Sequence, residues 1–355
     1  MSTRAVEAIA DALLFEGYML YPYRPSAVKN RQRFNFGVIY PRSSNASDSE
    51  GPDSHLMQTE ILVKGDASTT LDVKVRFLQL VDRTIGSATG STIGAASTNL
   101  DDYAIVEALD VDGRILKPWQ EAVERSVIVE GIRPSDLVQI RSVIAFTFSE
   151  DEKLERVSDA AGVHVGVIIR RQRTIDGEIE LSATEPLPGT FKIRARITNV
   201  SSIGSERARG RDELLLHSLV SAHSIFTLTA GSFISLLDPP EPYQSLAAEC
   251  KGIRSWPVLV GEQGQADTML ASPIIIYDYP LIAPESAGDL FDGTEIDEIL
   301  SLRILTMTDS EKREMRDSDH RARALLDRTE ALGAEDFMRM HGIMREMPPT
   351  HGAHP

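Results

Sequence analysis

The chain has 355 residues, 42% of them hydrophobic and 25% charged, which is the mix of an ordinary globular protein of about two domains and excludes a wholly disordered or collagen-like chain. Lys and Arg number 37 against 53 Asp and Glu, a formal charge of −16, so nucleic acid or an anionic membrane is not an expected partner. The single cysteine, Cys250, excludes an internal disulfide and a cysteine-only metal cluster.

Residues 4–16 predict an amphipathic helix. Val6, Ile9, Ala10, Leu13 and Leu14 recur at helical spacing, and Gly17 stands where a C-terminal cap is common. Glu7, Asp11 and Glu16 interrupt any signal-peptide core, and no apolar run approaches the roughly 18 residues of a membrane span. A cytoplasmic location without membrane insertion is expected. Pro22 and Pro25 then force an extended path, FNFGVIYP is a short strand candidate, and residues 43–54 read as a polar loop or linker.

From 55 to about 200 the period is two. Leu71, Val73, Val75 and Phe77 alternate with Asp72, Lys74 and Arg76, and Phe191, Ile193, Ala195 and Ile197 alternate with Lys192, Arg194 and Arg196. Asp112-Gly113 and Asp176-Gly177 read as hairpin turns, since Asp-Gly tolerates positive φ. Residues 85–102 form a long small-residue loop. Residues 201–289 are a mixed α/β stretch that either stands apart or shares the core of 55–200. ELLLHSLVSAHSIFTL is helix or strand, DPPEPYQSLAAECKGI is a proline turn and short helix, and WPVLVGE and ASPIIIYDYP are buried strands. Segment 290–348 is helical, with helices near 295–305, 309–317, 319–332 and 334–346. Thr294/Asp297 and Thr308/Glu311 are capping-box pairs, and residues 349–355 are a frayed tail. The expected fold is α+β: an antiparallel β-rich sandwich or barrel-like body with an N-terminal helix and a C-terminal helical segment.

Three constellations carry candidate chemistry. Arg24, Lys29, Arg31, Arg33 and Arg42 place a charge of +5 in residues 17–47, interleaved with Tyr18, Tyr21, Tyr23, Phe34, Phe36 and Tyr40. Guanidinium forks beside aromatic faces suit an acidic partner or a small anion, while the alternative is that these cations neutralise the protein's own carboxylates. The partner-binding candidates are Tyr21, Tyr23, Arg24, Lys29, Arg31 and Arg33. Glu285, Asp289, Asp292, Glu295, Asp297 and Glu298 form an acidic window whose spacing suits a helix N-terminus better than a calcium loop. His217, His223 and Cys250 are metal-ligand types without a standard metal spacing, and read as satisfied core residues before they read as ligands. No P-loop, GxGxxG, GxSxG or HExxH motif is present, so no cofactor is expected.

Two blocks, LFEGYMLYPYRPSAVKNRQRFNFGVIYP at 14–41 and the stretch 224–316 from SIFTLTAGSFISLLDPP to DSEKREMR, resemble a family of uncharacterised bacterial proteins encoded near nickel–iron hydrogenase structural and maturation genes. The resemblance covers about a third of the chain. It implies an accessory or assembly role, with a hydrogenase subunit or maturation factor as partner. The chain lacks the paired CxxC motifs of the large subunit, the cysteine sets of the small subunit, the loop of the nickel-insertion GTPase and a His-rich nickel tract. The expectation is therefore a protein that works by binding. The alternatives are a metal-handling protein or enzyme whose site assembles from His217, His223 and Cys250 or from the acidic window at 285–298, and a structural subunit that self-assembles by docking the basic segment on the acidic window of another copy.

Overall fold

The computed structural model describes residues 3–31, 33–42, 54–90, 99–203, 210–282 and 297–340. Along the chain lie α1 (Thr3–Leu14), β1 (Leu56–Ala88), β2 (Tyr103–Val106), β3 (Leu109–Val111), β4 (Arg114–Leu116), β5 (Trp119–Ile132), α2 (Pro134–Gln139), β6 (Ser142–Phe148), β7 (Asp151–Ser158), β8 (His164–Gln172), β9 (Ile175–Leu187), β10 (Thr190–Asn199), α3 (Arg211–Leu215), β11 (Val220–Ile234), α4 (Gln244–Ala248), β12 (Trp256–Leu259), β13 (Thr268–Ser272), α5 (Asp297–Leu305), α6 (Asp309–Ser318), α7 (His320–Glu330) and α8 (Ala334–Met340). The fold is α+β, and its body is one large antiparallel sheet with the path β12-β13-β11-β1-β10-β9-β6.

Strand β1 organises this sheet. It pairs with β10 over Leu56–Lys64, with β11 over Leu62–Leu78, with β5 over Leu71–Arg83 and with β8 over Val81–Ser87. Its register with β11 breaks between Gly65 and Thr70, where the Thr69 hydroxyl accepts from the Asp66 amide and gives to the Ala230 carbonyl. The bulge bends one sequence-continuous strand into two sheet segments.

The predicted alternation is the core. Leu71, Val73, Val75 and Phe77 are wholly buried, and Phe191, Ile193, Ala195 and Ile197 join them in one cluster. The sheet curls over this cluster. Phe77 of β1 packs on Phe146 and Phe148 of β6, at 6.1 and 5.6 Å between ring centroids, although β10 and β9 intervene along the sheet. Phe226 of β11 and Met269 of β13 lie in the same cluster, so the stretch 219–279 shares the core of 55–200.

Several local expectations meet different outcomes. Asp112-Gly113 makes the β3–β4 hairpin with φ of 55° and 82°, the positive pair of a type I′ turn. Asp176-Gly177 does not turn: it lies inside β9, with Gly177 opposite Phe146 and Asn199. A Cβ on Gly177 would stand 2.2 Å from Phe146 Cζ, so the glycine makes room for a ring on the neighbouring strand. FNFGVIYP makes only a single bridge, Ile39 to Leu219. Ile85–Ala88 belongs to β1, and residues 91–98 of the expected loop lie outside the described residues. ELLLHSLVSAHSIFTL divides into helix α3 and strand β11. ASPIIIYDYP is strand only to Ser272; Pro273 and Pro280, which lack an amide hydrogen, bound a non-strand run.

Helices cover the outside of the sheet. Val6, Ile9 and Ala10 of α1 pack on Ile225, Val258 and Leu270, and Gly17 takes φ of 69° just past the helix. Leu300, Met315, Leu325 and Leu326 of α5–α7 pack with Tyr18, Tyr23, Phe34, Leu78, Leu80 and Trp119 in a second core. Among the described residues no helix is long and apolar enough to cross a membrane. Thr308 caps α6 in a full capping box with Glu311, whose carboxylate takes the Thr308 amide at 2.9 Å, while Thr294 lies outside the described residues. Thr308→Ala is expected to cost about 1 kcal/mol of unfolding free energy, read by urea denaturation; a change within error would mean that the α5–α6 junction is held by Met307 and Met315 packing alone.

Candidate functional surface

The basic–aromatic segment turns inward. Tyr23 is fully buried and stacks edge-on against Tyr21 at 6.1 Å. Arg24 pairs with Glu311 at 2.9 Å, Ser26 bonds Glu314, and the Arg303 guanidinium stands 5.5 Å from the Tyr21 ring. The Tyr18 hydroxyl donates to the Asp319 carboxylate at 2.9 Å, and burial pushes that phenol well above its usual pKa. Arg33 is 5% exposed and lies 3.5 Å over the Trp119 ring, donating to the Tyr18 and Gln120 carbonyls at 3.0 and 2.7 Å. Burial pushes its guanidinium down to about 10. Arg31 closes the 3-10 turn Val28–Arg31, and Lys29 is exposed.

Tyr23 and Arg33 are therefore core residues and no part of a docking surface, and Arg24 is spent on Glu311. Of the other candidates, Tyr21 is half-buried and Lys29 is exposed. The alternative weighed for this segment, internal neutralisation, describes Arg24, whose acid Glu311 is supplied by α6. Of the acidic window, residues 285–296 lie outside the described residues, while Asp297 and Glu298 open α5.

The metal candidates are not brought together. His217 sits in the turn before β11 with Nε2 at 4.0 Å from Glu213. His223 is fully buried in β11 opposite Arg76. Cys250 packs beside Leu62, Ile234 and Ala247, where burial pushes its thiol up to about 11, the opposite of an activated thiolate. Among the described residues no group of three His, Cys, Asp or Glu could hold a metal ion.

A cleft of about 500 Å³ opens beneath the N-terminal segment, lined by Asn30, Arg33, Asp82, Trp119, Arg211 and Asp212. Its arginines are occupied: Arg211 donates to the Arg33 and Phe34 carbonyls and the Asn35 side chain. Burial raises the pKa of Asp82 against the pull of Arg171 and Arg173. The arrangement holds the segment onto the sheet.

What stands outward is elsewhere. After β13 the chain runs along the β12 edge of the sheet and is pinned there. The Tyr279 amide donates to the Leu259 carbonyl at 2.7 Å, and Asp278 accepts from the Leu259 amide at 2.8 Å. Tyr279 packs on the main core, and its hydroxyl gives to the Gln265 carbonyl. The pins fix the direction of the remaining side chains. Ile275, Tyr277 and Leu281 are 71, 79 and 70% exposed, followed by Ile282, and Trp256 on edge strand β12 is 43% exposed. Pro273 closes on Gly37 at the start of the strip. Sequence reasoning missed this surface because three consecutive isoleucines read as a buried strand; the flanking prolines were the available signal.

Comparison with known proteins returned no matching family model and no matching curated protein. The surface must therefore be interpreted from its own chemistry.

Proposed function

We propose that this chain is an accessory protein that acts by binding a protein partner through the strip formed by Trp256, Ile275, Tyr277 and Leu281. The observation that carries the reading is the outward display of these large apolar side chains from a run pinned to the sheet edge at Asp278 and Tyr279. An exposed apolar strip loses free energy to water unless a partner covers it. Tyr and Trp on a preorganised backbone give large contact area for little ordering entropy, which is the chemistry of interface anchors. The sequence resemblance suggests the partner, a nickel–iron hydrogenase subunit or maturation factor, and this remains part of the proposal.

The test is copurification of the full chain from its own host, followed by Kd measurement with the isolated partner. Trp256→Ala and Tyr277→Ala are each expected to weaken the complex about 30-fold while the circular-dichroism melting curve is kept. A hydrogenase subunit bound equally well by both variants removes the strip from the proposal. Light scattering that shows a dimer broken by Trp256→Ala, with no heterologous partner, replaces it with self-association.

A further inference from the structure

A second cleft, of about 320 Å³, lies between α1 and α7 and is lined by Asp11, Phe15, Glu124, Arg321, Leu325 and Arg328. Its charges divide unequally. Asp11 and Glu124 both face the buried Arg76, and the Glu124 carboxylate sits 2.8 Å from the Arg76 guanidinium. Arg76 also holds Glu7 at 3.1 Å, so the acids on this wall are matched from inside the protein.

Arg321 is in the opposite condition. Its guanidinium carbon lies over Phe15, 3.6 Å from the ring centroid. Its Nε is buried without an acceptor, and among the described residues its side chain pairs with no carboxylate. Phe15 is itself 4% exposed and locked edge-on against Tyr18 at 5.6 Å. An aromatic face thus holds one guanidinium in place while its Nε–H finds no acceptor.

We infer that the α1–α7 cleft is a binding site for a monocarboxylate, with Arg321 as the recognising residue. A planar guanidinium fork matches a carboxylate in two parallel hydrogen bonds. One uncommitted fork suits one negative charge. A phosphate dianion would bring twice the charge of a monocarboxylate toward the Asp11 and Glu124 carboxylates on the same lining, so whatever repulsion Arg76 leaves unscreened weighs more against it. Phe15 and the buried Leu325 supply apolar walls, so the carboxylate carries a short aliphatic tail. Two sources offer that chemistry, a small organic acid and the C-terminal residue of a peptide.

The probes are hexanoate, hexan-1-ol, inorganic phosphate, and acetyl-Ala-Leu with a free or an amidated C-terminus. Each is titrated calorimetrically into the full chain at low salt, and the position is read by amide chemical-shift changes in the unmodified protein. Hexanoate is expected to bind with shifts at Phe15, Arg321 and Leu325, and hexan-1-ol and phosphate to bind at least about tenfold more weakly. Arg321→Gln is expected to cost about tenfold or more in hexanoate affinity, and Arg321→Lys to fall between, because it keeps the charge and loses the fork. Tighter binding of the free-acid dipeptide than of hexanoate, abolished by amidation, identifies a peptide terminus as the source. The inference is overturned if hexan-1-ol binds as well as hexanoate, if shifts appear away from these residues, if Arg321→Gln binds unchanged, or if no carboxylate binds at millimolar concentration.

Discussion

Arg33→Ala is expected to lower the unfolding free energy by about 3–5 kcal/mol and to loosen the N-terminal segment from the helices beneath it. The guanidinium is enclosed: Tyr18 and Gln120 carbonyls take its protons, and the rings of Trp119 and Phe34 lie 3.5 and 4.5 Å from it. Truncation leaves two carbonyls without their donor, each costing about 1–3 kcal/mol when buried, and empties a space that aromatic side chains cannot refill without leaving their rotamers. Arg33→Lys restores the charge but not the two-directional donor geometry, so it should recover only part of the loss. Urea denaturation followed by tryptophan fluorescence reads the result directly, because Trp119 is the stacking partner. A loss below about 1 kcal/mol would mean that water reaches the Tyr18 and Gln120 carbonyls once the side chain is gone.

The period-two pattern in β1 and β10 was legible because burial there alternates by geometry alone: Leu71, Val73, Val75 and Phe77 face one core regardless of what covers the other face. The other face was not legible. Arg76 shares it with Asp72 and Lys74 and so reads as solvated, yet it is 2% exposed because α1 lies over it with Glu7 and Asp11 one helical turn apart. Which helix covers which face is a tertiary choice that no strand period contains. The charge excess of residues 17–47 has the same character. It is a true local excess, and Glu311, which pairs with its Arg24, lies 287 positions further along the chain, with Glu314 and Asp319, which take the Ser26 and Tyr18 hydroxyls, similarly distant, so the window resembled a surface for lack of its own acids. Gly177 shows the limit at a single position, since the ring that needs its missing Cβ belongs to another strand. The Trp256–Leu281 strip failed for the converse reason: its apolar residues are ordinary core types, and only the hydrogen bonds of Asp278 and Tyr279 decide which of them point out.

Lowering the pH from 7 toward 4 is expected to remove roughly 3 kcal/mol of stability through His223 alone. The imidazole is fully buried opposite Arg76, its Nδ1 lies 3.1 Å from the Ser221 carbonyl, and its Nε2 meets no partner among the described residues. With Nδ1–H donating to that carbonyl, Nε2 is the site left for a second proton, and protonating it would place a cation in the interior beside Arg76 and near Lys74. Burial foremost, and those neighbouring cations, push its pKa from 6.5 down to about 4. The unfolded chain takes up the proton near 6.5, whereas the folded chain resists it until about 4. The contribution is therefore whole above pH 6.5 and drains away as the pH falls through that window, in the direction opposite to a histidine that gains an acidic partner on folding. His223→Gln removes the titrating group while keeping a polar side chain of similar reach. The variant should be the less stable protein at pH 7, and its deficit should shrink as the pH approaches 4.5, with denaturation at matched ionic strength separating this from the general acid loss both proteins share. A deficit that stays constant with pH would show that the folded protein takes up the proton at His223 as readily as the unfolded chain does, which requires β11 to open around it without global unfolding.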